Sequence, residues 1–198
     1  MKDMLKDLIL KTVRSTPRVS YADPFFYMPR ELLILRHAKS DWASGTSSDF
    51  ERPLAKRGKS DAPKVGAWLY REGLVPDHVV SSPAERAKQT ATKVCKCLDI
   101  KKKQIVWEPA VYEADVPLLL AVLARCPREA MTVLLIGHNP GLEELVLHLT
   151  GEDLEIPEDG KVLPTATVAR LEMPDDWSDL PRGSAQLISI TRPRGLKV

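Results

Sequence analysis

Arg36 and His37 stand side by side in ELLILRHAKSDW, Glu31 to Trp42, where an apolar run ends. Arg86 falls in SSPAERAKQT and His138 in VLLIGHNPG. Two guanidinium groups and two imidazoles form a coherent set for handling phosphate. Guanidinium forks match phosphate oxygens in pairs, and helix N-termini after SSP and HNPG would add backbone N–H donors at the favourable end of a dipole. A neutral imidazole can attack phosphorus and hold the phosphoryl group transiently, with neighbouring cations lowering its pKa so that it stays unprotonated. A second imidazole can donate a hydrogen bond to charge growing on the transferring oxygens.

Each residue also has a plainer reading. Alone, His37 is a hydrogen-bonded histidine at a strand end, Arg86 one exposed helix cation among many, and His138 part of the turn chemistry of Asn139-Pro140-Gly141. Placement separates the readings. Beyond residue 30, short apolar runs alternate with helical periodicities, which implies βαβ units and a mainly parallel sheet in an α/β fold. Strands are predicted at Leu32 to Arg36, Asp77 to Ser81, Ile105 to Glu108, Thr132 to Gly137, Thr167 to Leu171 and Gln186 to Thr191. Arg36-His37, Arg86 and His138 follow the carboxyl ends of three different strands. In an open parallel sheet those ends share one edge, where ligand crevices form. His78 enters a strand and His148 lies late in a helix, so both read as structural.

The intervening helices carry start and stop signals. One holds Val65, Trp68 and Leu69 at helical spacing and stops at Gly73, where a left-handed cap is easy. The next is expected to open with Ser82 as N-cap, Pro83 at the first helical position and Glu85 closing a capping box. Pro117 marks another start. The last runs from an Asn139 cap to Gly151, with Leu142, Leu145, Val146 and Leu149 as its buried stripe. EDLEIPEDGKVLP, Glu152 to Pro164, has enough breakers and acids to be expected as a surface loop.

The chain has 198 residues, enough for one domain, with 29 Lys and Arg against 27 Asp and Glu. That near balance gives no global field toward nucleic acid. Lys101 to Lys103 reads as a solvated turn, and the C-terminal TRPRGLK is a minor nucleic-acid candidate. No run reaches the roughly 18 apolar residues of a membrane span, so a soluble protein is expected. Cys95, Cys97 and Cys126 are too few and odd in number for a disulfide framework, which favours a reducing compartment, and a lone Cys-x-Cys pair is poor support for zinc. Residues 1–30 read as a separate arm, with a short amphipathic helix and then a proline- and aromatic-rich stretch. A cytoplasmic address is expected, or an organelle if the arm derives from a targeting segment.

LLILRHAKSDW, DFERPLAKRG, PDHVVSSPAERAKQTA, VYEAD, VLLIGHNPGLEELVLHLTG and LPTATVARLE together resemble the histidine phosphatase superfamily, in its short SixA-like branch. The resemblance spans about Glu31 to Pro193. It implies a phosphoglycerate mutase-like three-layer α/β/α sandwich over residues 31–198. It also implies His37 as the phosphoryl-accepting nucleophile, Arg36 and Arg86 as phosphate clamps and His138 as the second catalytic histidine, with no metal and no cofactor. Glu113 in VYEAD stands near where the superfamily's proton donor enters, with Glu108 and Asp115 as rivals, and partial burial would raise its pKa toward that role.

The chain departs from the mutase pattern in two places. Ala43 stands where mutases carry an asparagine that contacts phosphate, so Ser40, Asn139 or backbone N–H groups must supply that contact. No insertion is long enough to form the mutase lid. Only Trp42 to Leu54 can overhang the crevice, offering Asp49 and Arg52, with Arg57 just beyond, as rim contacts. An open site suits a bulky substrate, and the resemblance implies phosphohistidine on a protein or another phosphoramidate. The alternatives are a phosphomonoesterase or mutase acting on a small phosphorylated metabolite, and a phosphate-recognition module without catalysis. A monomer or weak dimer with no nucleic-acid or membrane partner is expected.

Overall fold

The computed structural model describes residues 29–151 and 160–196. The expected N-terminal arm lies almost entirely outside these residues. Six strands form one sheet: β1 (Arg30–Arg36), β2 (His78–Ser81), β3 (Ile105–Trp107), β4 (Thr132–Gly137), β5 (Val168–Met173) and β6 (Gln186–Thr191), in the order β3-β2-β4-β1-β5-β6. β3, β2, β4 and β1 run parallel, while β5 pairs antiparallel with β1 and with β6.

Strand alternation sorts side chains to the two faces. Leu32 and Ile34 of β1 and Val133 and Leu135 of β4 pack under α3 (Val116–Leu123) and α4 (Gly141–Thr150). Leu33, Leu35, Leu134 and Ile136 pack under α1 (Lys56–Arg71) and α2 (Glu85–Cys97). Such runs, apolar on both faces, are what a parallel sheet covered on both sides requires. Each fully buried Leu or Ile contributes roughly 1.5–3 kcal/mol of transfer free energy, so the doubly covered β1 and β4 anchor the sheet. The result is the three-layer sandwich. Among the described residues, no helix is long and apolar enough to cross a membrane.

Two helix starts differ from expectation. α2 begins at Glu85 after Ala84, with no side-chain cap; the Ser82 hydroxyl meets His138 Nε2 and reaches only as far as Ala84 N–H. α4 begins after Pro140 and not on an Asn139 cap, since the Asn139 amide donates to Leu163 O instead. The stretch expected as a surface loop also contains a core residue. Leu163 is fully buried, its N–H held by Glu143 Oε1 at 2.8 Å, while residues 152–159 of that stretch lie outside the described residues.

Glycine permits two close approaches that shape the site's edge. A Cβ at Gly58 would stand 2.2 Å from Lys39 O, so the start of α1 can press on the segment after His37 only with glycine there. A Cβ at Gly141 would stand 2.0 Å from Ala114 O, which brings the VYEAD segment against the start of α4.

Candidate active site

Parallel register carries three strand ends to one place. Arg36 lies opposite Gly137 and Ser81 opposite Ile136. The pairing continues one residue further, with His37 N–H on Gly137 O at 3.1 Å and Ser82 N–H on Ile136 O at 2.9 Å. His37, Arg86 and His138, scattered over a hundred positions, therefore meet.

The His37 ring is held by its own backbone. Nδ1 lies 2.8 Å from Ala38 O. A carbonyl oxygen only accepts, so Nδ1 carries the proton and Nε2 keeps its lone pair. Arg86 Nε–H donates to that Nε2 at 3.3 Å. Thr90, absent from the sequence reading, ties the two residues together: its Oγ1 accepts Ala38 N–H at 3.0 Å and donates to Arg86 O at 2.7 Å. Burial lowers the His37 pKa to about 3, against a smaller opposing effect of the Ala38 hydrogen bond, and the charges of Arg86, Arg36 and Arg52 add to the lowering. The expectation that neighbouring cations keep this imidazole neutral is thus corrected in emphasis, since desolvation dominates.

The His138 ring centroid is 5.0 Å from that of His37. Its Nε2 lies 2.8 Å from Ser82 Oγ, and its Nδ1 is buried without a partner among the described residues. Ser82 Oγ also accepts Ala84 N–H at 3.3 Å, and its own O–H can donate into Nε2. In that tautomer Nδ1 bears the proton and can donate to an oxyanion. Burial, reinforced by His37 and Arg86, lowers the His138 pKa to about 3. Tyr112 packs edge-on against His138 at 5.5 Å and against Phe50 at 5.0 Å.

Arg36 donates through Nη1 to Leu163 O at 2.7 Å, and its Nε is buried without a partner among the described residues. Burial lowers its pKa, partly offset by Glu143, and its charge acts on both catalytic-candidate histidines. Arg86 faces Asp49, whose Oδ2 lies 2.8 Å from Nη2 and whose carbonyl oxygen lies 2.6 Å from Nη1. Asp49 also accepts from Arg52 Nη2 at 2.6 Å and from Tyr112 O–H at 3.2 Å. Partial desolvation would raise the Asp49 pKa, but the Arg52 hydrogen bond and the charges of Arg86 and Arg52 outweigh it and hold the carboxyl below its ordinary range.

The remaining expected site residues divide. Arg52 lies within electrostatic reach of His37, stacks on Trp42 at 3.5 Å and donates to Ser40 Oγ at 2.6 Å. Ser40 is therefore occupied in holding Arg52. Asn139 Oδ1 is buried and unpartnered among the described residues. Arg57 pairs with Asp61 at 3.2 Å and lines a cavity together with Arg36 and Lys39. Glu113 is exposed and left-handed at φ +52°, contrary to the expected partial burial, with its carboxylate beside the Tyr112 hydroxyl. Its rivals hold structural posts: Glu108 accepts Ala110 N–H and pairs with Arg125, and Asp115 caps α3 by accepting Leu118 N–H. Among the described residues, no group of three or more histidine, cysteine or acidic side chains could hold a metal ion.

Comparison with known proteins agrees with this geometry. The family model described as the histidine phosphatase superfamily (branch 1) matches residues 32–118. An uncharacterised protein of Mycobacterium tuberculosis is 30% identical over 164 residues, covering 81% of this chain and all of that one. The phosphohistidine phosphatase SixA of Escherichia coli is 32% identical over 120 residues, covering 60% of this chain and 73% of that one. The solved structure of the protein histidine phosphatase SixA complexed with tungstate superposes with a TM-score of 0.71 at 26% identity, covering 84% of this chain and 99% of that one. With the motifs in order, the sheet shared and the strand ends converged, the chain belongs to the histidine phosphatase superfamily, in its SixA-like branch.

Proposed function

We propose that this chain is a metal-independent phosphatase that works through a phosphorylated His37 and acts on phosphohistidine of proteins or on related phosphoramidates. The supporting observation is that the carboxylate seated on the Arg86 guanidinium, Asp49, is a poor proton donor. Asp49 is held ionised, Glu108 and Asp115 serve structural contacts, and Glu113 is exposed. A phosphomonoester needs an acid to protonate its departing oxygen. A phosphoimidazole already protonated on its second nitrogen does not.

The His37 Nε2 lone pair attacks phosphorus, and the P–N bond to the leaving ring breaks with its electron pair returning to that nitrogen. The leaving group departs as neutral imidazole. His37, now N-phosphorylated and cationic, keeps its Nδ1 proton on Ala38 O, which favours the charge. Water then attacks phosphorus, the Nε2–P pair returns to His37, and the surplus proton passes to solvent or phosphate. Arg36, Arg86 and the His138 N–H neutralise charge on the transferring oxygens. Asn139, next to His138 in the chain, and Arg52, whose charge acts on His37, are proposed as further substrate contacts.

Two other readings stand lower. A mutase must keep water from its phosphoenzyme, yet Asp49 over the site is 42% exposed at its side chain. A pure recognition module has no use for an imidazole fixed in one tautomer. The test is a panel of phosphohistidine, phosphoserine and phosphotyrosine peptides and sugar phosphates, each with and without chelator. Phosphohistidine should turn over fastest, independently of chelator, leaving an acid-labile, alkali-stable label that His37→Ala abolishes. Wild-type turnover by His37→Ala would end the proposal.

A further inference from the structure

α2 buries Ala87, Ala91, Val94 and Cys95 against the sheet, and its other side carries a row of lysines. Lys88, Thr92 and Lys96 stand at four-residue spacing on one face, Lys93 lies beside them, and Lys101 and Lys102 follow just past the helix end. Surfaces usually intersperse the two signs of charge so that neighbours pair. Lys93 and Lys96, three positions apart, repel instead, a placement that costs helix stability. Among the described residues, none of these five lysines is in an ion pair.

The lysines line a series of adjoining grooves that leads away from the candidate active site. Phe50, Pro83, Glu85 and Lys88 border the first. Glu85 and Lys88 also border the second, with Lys93 and Lys102, and Lys102 continues into the third, with Lys96 and Lys101. At the near end Phe50 packs on Tyr112, which packs on His138, and Glu85 directly precedes Arg86. From Lys88 to Lys96 the row runs about 12 Å along the helix axis. A large substrate with its phosphoryl group at His37 lies beside this row, and a small metabolite does not reach it.

We propose that this row docks an acidic face of the protein that carries the phosphorylated side chain, and so selects among macromolecular substrates. The identity of the partner rests on the phosphatase reading; the acid-binding character of the row does not. Glu51, Glu85 and Asp99 border the same grooves. The unbroken charge of a nucleic-acid backbone would meet these carboxylates, whereas acidic side chains on a folded partner are discrete and can fall between them. Lysine suits the task, because its ammonium is a hydrated point charge on a flexible stem that pairs with carboxylates without a fixed fork geometry. Exposed charges of this kind act chiefly on encounter and on the choice of partner.

Two measurements on the full chain test the row. In the first, a fluorescent Glu-Gly repeat peptide without phosphate is titrated by anisotropy. Reversing two exposed positions together, Lys96→Glu with Lys102→Glu, should weaken binding roughly tenfold, the summed scale of several exposed charge contacts, and Lys96→Arg with Lys102→Arg should keep it. In the second, a phosphohistidine peptide flanked on both sides by Glu-Gly repeats should have a KM about tenfold below that of one flanked by Ser-Gly repeats, with kcat alike. The double Glu variant should lose this preference while hydrolysing the Ser-Gly peptide at the wild-type rate. Lysine-dependent binding without turnover of either phosphohistidine peptide would refute the phosphatase reading and still support the row. Absent binding, or binding and preference that survive the double reversal, would overturn the proposal. So would duplex DNA or phosphatidylserine vesicles held more tightly than the Glu-Gly peptide through the same two lysines.

Discussion

Asp49 places both its carboxylate and its backbone carbonyl on the guanidinium of Arg86, at 2.8 and 2.6 Å. With Nε on His37, every nitrogen of Arg86 is engaged within the protein. A phosphate reaching Arg86 must therefore displace a carboxylate of like charge, held by a loop 37 residues away in sequence. Asp49→Asn keeps the shape and the amide oxygen for Arg52 but removes the competing charge. Partly exposed ion pairs contribute about 1 kcal/mol, so orthophosphate should inhibit the variant roughly fivefold more strongly than wild type. Product-inhibition constants measure this. Weaker inhibition of the variant would mean that Asp49 helps to assemble the phosphate seat.

His37 and His138 have folded-state pKa values near 3, well below the 6.5 of an unfolded imidazole. The unfolded chain consequently takes up protons first as pH falls. Their contribution to stability is complete above the unfolded value of 6.5 and is lost progressively as pH falls toward about 3, and Asp49, with its lowered pKa, acts in the same direction. Urea midpoints should fall steadily across that window. Imidazole NMR resonances assigned to His37 and His138 should stay flat from about pH 8 to pH 5, where an ordinary histidine titrates. A midpoint near 6.5 for either would show that water reaches the site far more than the packing implies.

Much of this arrangement was legible in the chain. Six strands could be read because β1 and β4 are buried on both faces and so appear as unbroken apolar runs, and the polar residues that end those runs marked the site. What could not be read was set by partners distant in sequence. Ser82 looked like a helix cap, but its hydroxyl meets His138 Nε2, 56 positions away. Leu163 sits among turn-formers, and only the Glu143 carboxylate and the Arg36 and Asn139 side chains explain how its backbone is satisfied in the core. Asp49 was readable as a rim residue, though nothing local tied it to Arg86. Glu113 was approached through its motif, and motif position says nothing about the left-handed turn that leaves it exposed.

Glu113 separates two substrate classes. On a phosphoramidate, whose leaving imidazole departs neutral, Glu113→Gln should keep kcat within about twofold of wild type. On a phosphomonoester the same change should cost perhaps a hundredfold if Glu113 swings in as general acid, in line with the usual size of that effect. Both rates come from one preparation, so folding defects cancel in their ratio. Equal losses on the two substrates would contradict the view that the acid is dispensable for P–N cleavage.

Thr90 links the proposed nucleophile to its proposed clamp through a single hydroxyl, and the sequence offered no sign of it beyond its place on the inner face of α2. The Oγ1 accepts Ala38 N–H and donates to Arg86 O, while Ala38 O in turn fixes the His37 Nδ1 proton. Thr90→Val keeps volume and branching but leaves the buried Ala38 N–H unpaired, which should destabilise the fold by about 1–3 kcal/mol. Freed of that tether, Ala38 holds the imidazole less firmly, and small misplacements of a nucleophile are costly. Single-turnover phosphorylation of His37 should slow by roughly ten- to a hundredfold, with substrate affinity little changed. Thr90→Ser, which restores the hydroxyl, should recover the rate even though it loses a methyl from the core. A valine variant that is destabilised yet phosphorylates at the wild-type rate would show that the tether serves folding alone, and that Arg86 and Ala38 O hold His37 without it.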